Sequence, residues 1–227
     1  MQNVIYTFAG KQCNMTQMNR KAITFVKVLG AISLILAPLL TFIGWGIAHD
    51  SLSTFFNLNF SYEATDATAN LTPSSDESHI FRYYLLPHYF IYASMPVYIG
   101  LGLCLMYIGY KKTPWHSFIG IILSIIGAVY FIGVLGAFLS IPMGTVNMTN
   151  ILKLSFGLSM LVFIGNILLG ISLYKSGIIA RWSSLLFILG NVLILIFPGI
   201  ENWMAVGSLL MIAGLLPLAG KIVSQRI

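Results

Sequence analysis

Three side chains that suit a divalent metal ion lie near the ends of apolar segments in this sequence. His49 follows the first apolar segment, His88 lies just inside the second, and Glu201 lies in a short turn between the last two. Imidazole nitrogens and carboxylate oxygens are ligands of Zn²⁺ and related ions. If the chain alternates across a membrane, all three residues lie on the same side of it. The sequence therefore makes them candidate metal ligands.

The three candidates come from separate segments and share no compact ligand spacing such as His-x-x-x-His. For that reason we predict no cofactor, and a metal or a haem held by His49 and His88 stays an alternative. The competing interpretation of His88 is structural, with its ring bonded to a neighbouring helix or reaching the lipid headgroups. Gly-x-Ser-x-Gly, His-Glu-x-x-His, Walker and Cys-x-x-Cys motifs are all absent, so we predict no catalytic residues.

Two amides, Asn166 and Asn191, lie within apolar segments. Polar groups are costly in hydrocarbon, so they mark places where a helix meets a partner or lines a path. The structural interpretation is that each amide bonds across to another helix. The functional interpretation is a polar spot in a passage or pocket.

The amino-acid composition indicates the class of protein in which these residues lie. The chain has 227 residues, of which 58% are hydrophobic and 8% are charged, and its mean hydropathy is +0.89. A soluble domain carries roughly 25% charged residues. Two cysteines are too few for a disulfide framework, and the net charge of +6 includes no basic cluster of the kind that binds nucleic acid. The sequence indicates a polytopic membrane protein.

Six segments are apolar and close to the roughly 20 residues that a bilayer core requires. We therefore predict an all-α bundle of six transmembrane helices, within a transmembrane domain at 22–227 that follows an N-terminal tail at 1–21. Residues 49–81 are predicted to form an external loop. The predicted spans are 28–48, 84–110, 118–142, 154–174, 183–197 and 204–220.

The charges indicate an orientation. With the N-terminus inside, ten of the twelve Lys and Arg residues fall inside, and only Arg82 and Lys153 fall outside. All six acidic residues then fall outside. Because cytoplasmic loops carry an excess of Lys and Arg, both termini are predicted to be cytoplasmic.

Residues 176–182, with the sequence Ser-Gly-Ile-Ile-Ala-Arg-Trp, precede the apolar segment 183–190. This pattern resembles the inner turn of small multi-span bacterial membrane proteins of unknown function. The resemblance covers helices 4–6 and implies a compact helical bundle in the plasma membrane, specifically a bacterial inner membrane. It implies no activity.

Three functions remain open on the sequence. The first is a non-enzymatic accessory or structural membrane component, whose partners are the lipid bilayer and another membrane protein or a second copy of the chain. The second is a transporter or channel for a neutral or lipophilic solute. The third is a membrane enzyme or metal-binding protein with its site at the outer face.

The predicted orientation can be tested with reporters fused to each terminus. A reporter that is active only in the cytoplasm should be active at both ends, because an even number of spans returns the chain to its starting side. An inactive reporter at either end would contradict the six-span assignment.

Overall fold

The computed structural model describes residues 27–45, 86–140, 150–198 and 201–224, and these residues form helices and the short turns between them, without a strand. The all-α fold class is confirmed. The predicted tail at 1–21 and the predicted external loop at 49–81 lie outside the described residues. The helices are α1 Lys27–Trp45, α2 Leu86–Gly109, α3 Pro114–Ser140, α4 Asn150–Ser159, α5 Leu161–Ser176, α6 Arg181–Ile196 and α7 Glu201–Val223.

Each of the six predicted spans has a helical counterpart. In the described part of the chain, five helices are long and apolar enough to cross a membrane. The fourth of them, Leu154–Ser176, comprises the last six residues of α4 and all of α5, with a break at Met160. The remaining helix, α6, has 16 residues and is about 24 Å long, somewhat shorter than a hydrocarbon core of about 30 Å.

Hydrocarbon offers no partner for a backbone amide, which explains why these apolar segments are helical. At the turns, the helices begin and end at residues whose backbone conformation suits a helix terminus. Pro114 occupies the first position of α3, where no intrahelical donor is needed. Gly177 closes α5 with a φ of 67°, a left-handed conformation that glycine adopts without a steric penalty.

Helices that are adjacent in the chain are also neighbours in space. The helix α1 packs against α2, where a Cβ built on Gly30 would lie 3.0 Å from Cys104 Sγ. The helix α2 packs on α3 and α5, α5 packs on α3 and α6, and α6 packs on α7. The core contains the large buried side chains Tyr98, Phe163 and Phe187.

The backbones of α3 and α5 touch. A Cβ built on Gly165 would lie 2.5 Å from the carbonyl oxygen of Gly120 and would also overlap the backbone nitrogen of Ser124. A Cβ on Gly127 would overlap the backbone of Val162, just after the break at Met160. Small residues allow helices in membranes to approach this closely. The break at Met160 in the fourth span therefore lies beside one of the close contacts with α3.

A second close contact joins α6 and α7. A Cβ on Gly207 would lie 2.6 Å from the carbonyl oxygen of Gly190, and a Cβ on Gly214 would lie 2.6 Å from the backbone nitrogen of Phe187. The two helices form the chain's last hairpin. Near its turn, the rings of Phe197 and Trp203 stack with their centroids 5.0 Å apart.

The side surface of the bundle is apolar. Leu29, Val129 and Leu216 are each about half exposed, and more than half of the most hydrophobic window of every candidate span is not buried inside the bundle. A soluble protein rarely exposes an apolar surface of this extent. The exposed side chains are those expected to contact lipid.

The fold places most cations of the described residues at one end of the bundle, which we call the basic end. Direct contacts bring the α2–α3 turn, the α5–α6 turn and the end of α7 together there. The basic end carries Lys27, Lys111, Lys112, Lys175, Arg181 and Lys221. The acidic residue of the described part, Glu201, begins α7 at the opposite end. This segregation agrees with the predicted orientation.

Replacing Gly165 with alanine is expected to destabilise the protein by about 1–3 kcal/mol, because the added methyl group meets main-chain atoms that no rotamer change can move. Thermal unfolding in detergent, followed by circular dichroism, measures the effect. The matched control is Gly133→Ala, since a Cβ on this exposed glycine of α3 meets nothing within 4 Å. Equal melting temperatures for the two variants would contradict the close contact of α3 and α5.

Candidate functional site

Of the three candidate metal ligands, only His88 has a side chain that the structure describes. His88 is the third residue of α2 and is partly exposed. His49 lies outside the described residues, and Glu201 begins α7 without a described side chain. Among the described residues no group of three or more His, Cys, Asp or Glu side chains is placed to hold a metal ion. A site formed by His49, His88 and Glu201 therefore stays a prediction.

Asn166 is completely buried on the face of α5 that contacts α3. Its Oδ1 lies 3.4 Å from Ser124 Oγ, which donates the hydrogen bond. Its Nδ2 has no hydrogen-bond partner within the part of the chain that the structure describes. The amide thus bonds across helices, as the structural interpretation predicts, but uses only part of its bonding capacity.

Asn191 is also completely buried, but it bonds within its own helix. Its Nδ2 donates to the carbonyl oxygen of Phe187 at 2.8 Å, and its Oδ1 accepts no hydrogen bond from the described residues. The two amides therefore engage different partners. Only Asn166 forms the interhelical bond predicted for both of them.

A cluster of hydroxyl groups lies near the basic end between α2, α3 and α5. Ser117 Oγ and Ser172 Oγ are 2.7 Å apart, and Thr113 Oγ1 also bonds to Ser172. Gly109 of α2 covers the cluster, since a Cβ there would lie 2.9 Å from Ser117 Oγ and would overlap Ser172 Oγ. The glycine creates the space that these hydroxyl groups occupy.

A second hydroxyl cluster joins α1 and α2 further from the basic end. Thr41 Oγ1 lies 3.2 Å from Ser94 Oγ and 3.3 Å from the hydroxyl of Tyr98. All three side chains are buried. The ring of Tyr98 packs edge-on against Phe163, with the centroids 6.4 Å apart. Phe163 is one turn before Asn166 in α5, so this ring pair lies close along the chain to the Ser124–Asn166 pair.

These three groups lie between α1, α2, α3 and α5, and their side chains are buried except for the half-buried Thr113; together we call them the polar row. From the sequence, Asn166 is the only member of this row for which a functional interpretation was open. The signal that could have found more is helical spacing, since Ser117 and Ser124 are seven residues apart on one face of α3. The polar row consists of Thr41, Ser94, Tyr98, Ser124, Asn166, Thr113, Ser117 and Ser172.

Two lysines bond to the turn between α5 and α6. Lys112 Nζ donates to the carbonyl oxygen of Ser176 at 2.6 Å, and Lys221 Nζ donates to that of Ile178 at 2.5 Å. The last carbonyls of a helix lack intrahelical donors and carry partial negative charge. These ammonium groups therefore connect the α2–α3 turn and the end of α7 to the end of α5.

Two further cations of the basic end contact aromatic rings. Lys175 Nζ lies 3.2 Å from His116 Nε2, and the guanidinium carbon of Arg181 lies 5.6 Å from the centre of the Tyr174 ring. Trp115 and Trp182 are about three-quarters exposed, each at the second position of its helix. Amphipathic rings beside cations are typical of the headgroup level of a membrane.

The fold and its polar groups define the class: the chain is a multi-pass α-helical membrane protein. Comparisons with protein-family models, with curated proteins and with solved structures find no match. Its function therefore has to be inferred from its own residues.

Replacing Ser172 with alanine is expected to destabilise the protein by about 1 kcal/mol, because the variant removes the common partner of Ser117 and Thr113. Ser208→Ala is the matched control, since this equally buried hydroxyl donates to Met204 of its own helix. Unfolding by a denaturing detergent measures both variants. A larger effect at Ser208 would contradict the importance of the interhelical cluster.

Proposed function

We propose that this chain is a non-enzymatic accessory or structural component of a membrane. We further propose that this membrane is a plasma membrane, specifically a bacterial inner membrane, and that both termini face the cytoplasm. The segregation of cations and the predicted bacterial resemblance support this location.

The observation that carries the proposal is the chemistry of the core. Apart from the hydroxyl of Tyr98, every buried polar side chain of the described part belongs to a serine, threonine or asparagine. Pumps and proton relays place ionisable groups within their spans, and such groups are expensive to keep there. A core of hydroxyls and amides, most of which bond to a neighbour or to their own helix, supports a role in holding a shape.

The close helix contacts support the same conclusion. Backbone meets backbone at Gly165 between α3 and α5 and at Gly207 between α6 and α7. A passage along either contact would require the helices to separate. The exposed apolar side surface offers a broad area for contact with another membrane protein or with a second copy.

The polar row favours a second candidate, a transporter for a neutral solute. Its members lie between α1, α2, α3 and α5, and the Asn166 Nδ2 retains an unused donor among the described residues. A solute with hydroxyl or carbonyl groups would find partners there. The rings of Tyr98 and Phe163 would have to move for such a solute to pass.

A flux assay in liposomes tests these proposals against each other. Vesicles that contain the purified protein should admit glycerol and urea no faster than protein-free vesicles, as light scattering records. The second measurement is native electrophoresis of the tagged protein solubilised from source membranes, where we expect a complex with a partner chain or a second copy at fixed stoichiometry.

Two variants make the flux result specific. A flux that Asn166→Leu removes and Asn191→Leu leaves unchanged would overturn the first proposal in favour of transport. The two substitutions are matched, because both asparagines are completely buried and only Asn166 belongs to the polar row. A protein that migrates alone as a monomer in native electrophoresis would also count against the accessory role.

A further inference from the structure

An apolar groove runs along the side of the bundle between α1 and α7, at the basic end. Its volume is about 610 Å³. Its walls are formed by one face of α1 and the last turns of α7, and they include Val28, Ile32, Leu36, Leu39, Ala219 and Val223. The hydroxyl of Ser224, which also borders the groove, donates to the carbonyl oxygen of Lys221 in its own helix.

The groove stays open because α1 uses its other face for packing. Gly30, Thr41 and Gly44 of α1 face α2, and the apolar residues on the groove side remain partly exposed. Val28 is 42% exposed, and Ile32 is 50% exposed. Gly220 of α7 adds no side chain, and a Cβ there would meet nothing within 4 Å. The missing side chain leaves room in the wall.

The wall that α1 contributes to the groove matches one leaflet of a bilayer in length. From Val28 to Leu39 the axis of α1 rises about 16 Å. Half of a hydrocarbon core is about 15 Å thick. The groove starts at the end of the bundle where α1 begins and α7 ends, so an extended acyl chain of that leaflet would lie along its whole length.

Two lysines adjoin, along the chain, residues that line the groove at the basic end. Lys27 directly precedes Val28, and Lys221 directly follows Gly220, both of which line the walls. Lys221 donates one hydrogen bond to Ile178, but an ammonium group has three donors. Nearby turns add Lys112 and Lys175, and no carboxylate of the described residues lies at this end. An anionic headgroup therefore complements the site.

We propose that this groove binds one anionic glycerophospholipid, with an acyl chain against α1 and α7 and its phosphate at Lys27 and Lys221. The apolar walls accommodate the chain, and the two ammonium groups select the anionic headgroup over a zwitterionic one. This inference is independent of the proposed function, since either an accessory protein or a transporter could hold such a lipid.

Native mass spectrometry tests the proposal. The protein is reconstituted with equal amounts of phosphatidylglycerol and phosphatidylcholine that carry the same acyl chains, and is then released from a mild detergent. We expect one retained phosphatidylglycerol per chain, with a preference of about fivefold for each lysine involved. No retained lipid, or equal retention of the two lipids, would overturn the proposal.

Two pairs of variants distinguish the contribution of the apolar walls to lipid binding from the contribution of the lysine charge. Gly220→Leu should abolish the retained lipid by filling the groove, whereas Gly133→Leu, at an exposed glycine of α3 with equally open surroundings, should not. Lys221→Gln should lower the preference for phosphatidylglycerol about fivefold, and the control Lys111→Gln should leave it nearly unchanged. Equal melting temperatures confirm that the variants are folded.

A second copy of the chain is the competing occupant of the groove. If the wild type is a dimer that Gly220→Leu converts to a monomer, and the retained lipid is unchanged, the groove is a protein interface and the lipid proposal is wrong. Loss of lipid from a protein of constant oligomeric state supports the proposal.

Discussion

Gly165 of α5 lies against the α3 backbone so closely that a single added methyl group would overlap main-chain atoms of Gly120 and Ser124. Lipid tails are as apolar as leucine, so helices in a bilayer associate through close packing and hydrogen bonds. The contact at Gly165 supplies the packing, and it sets the distance at which neighbouring polar groups meet. Asn166, the next residue, then reaches Ser124, and Ser172, further along α5, reaches Ser117.

The close contact at Gly165 also limits the space that is available between the helices. Helices whose backbones touch leave little space between them, and the polar groups in this core are uncharged. In the part of the chain that the structure describes, the charged residues lie toward the two ends of the bundle. At the basic end, Lys112 bonds to the last carbonyl oxygen of α5, and Lys221 bonds to that of Ile178 in the turn that follows. The surfaces left for partners are this end and the apolar sides, where lipids and other membrane proteins are found.

The sequence predicted the helical segments, including the five that are long enough to cross a membrane, but it predicted few of the contacts between them. The hairpins α2–α3 and α5–α6 illustrate the difference. Their turns, 110–113 and 177–180, have equal length, and Trp115 and Trp182 occupy the same position after them. Ser117 and Ser184 are equally placed two residues later and equally buried. Yet Ser117 bonds to Ser172, whereas Ser184 Oγ has no hydrogen-bond partner among the described residues. Equivalent positions in sequence thus acquired different surroundings.

The sequence by itself determined the class, the helical spans and the unequal distribution of charge, because the bilayer acts on each residue almost independently of the others. Only the tertiary structure decided which small and polar side chains meet. Thr41 and Ser94 are 53 residues apart, and Ser117 and Ser172 are 55 apart. Hydropathy treats these serines and threonines alike. Their partners are fixed by the angle and depth at which helices cross, and those depend on where glycine allows two backbones to touch.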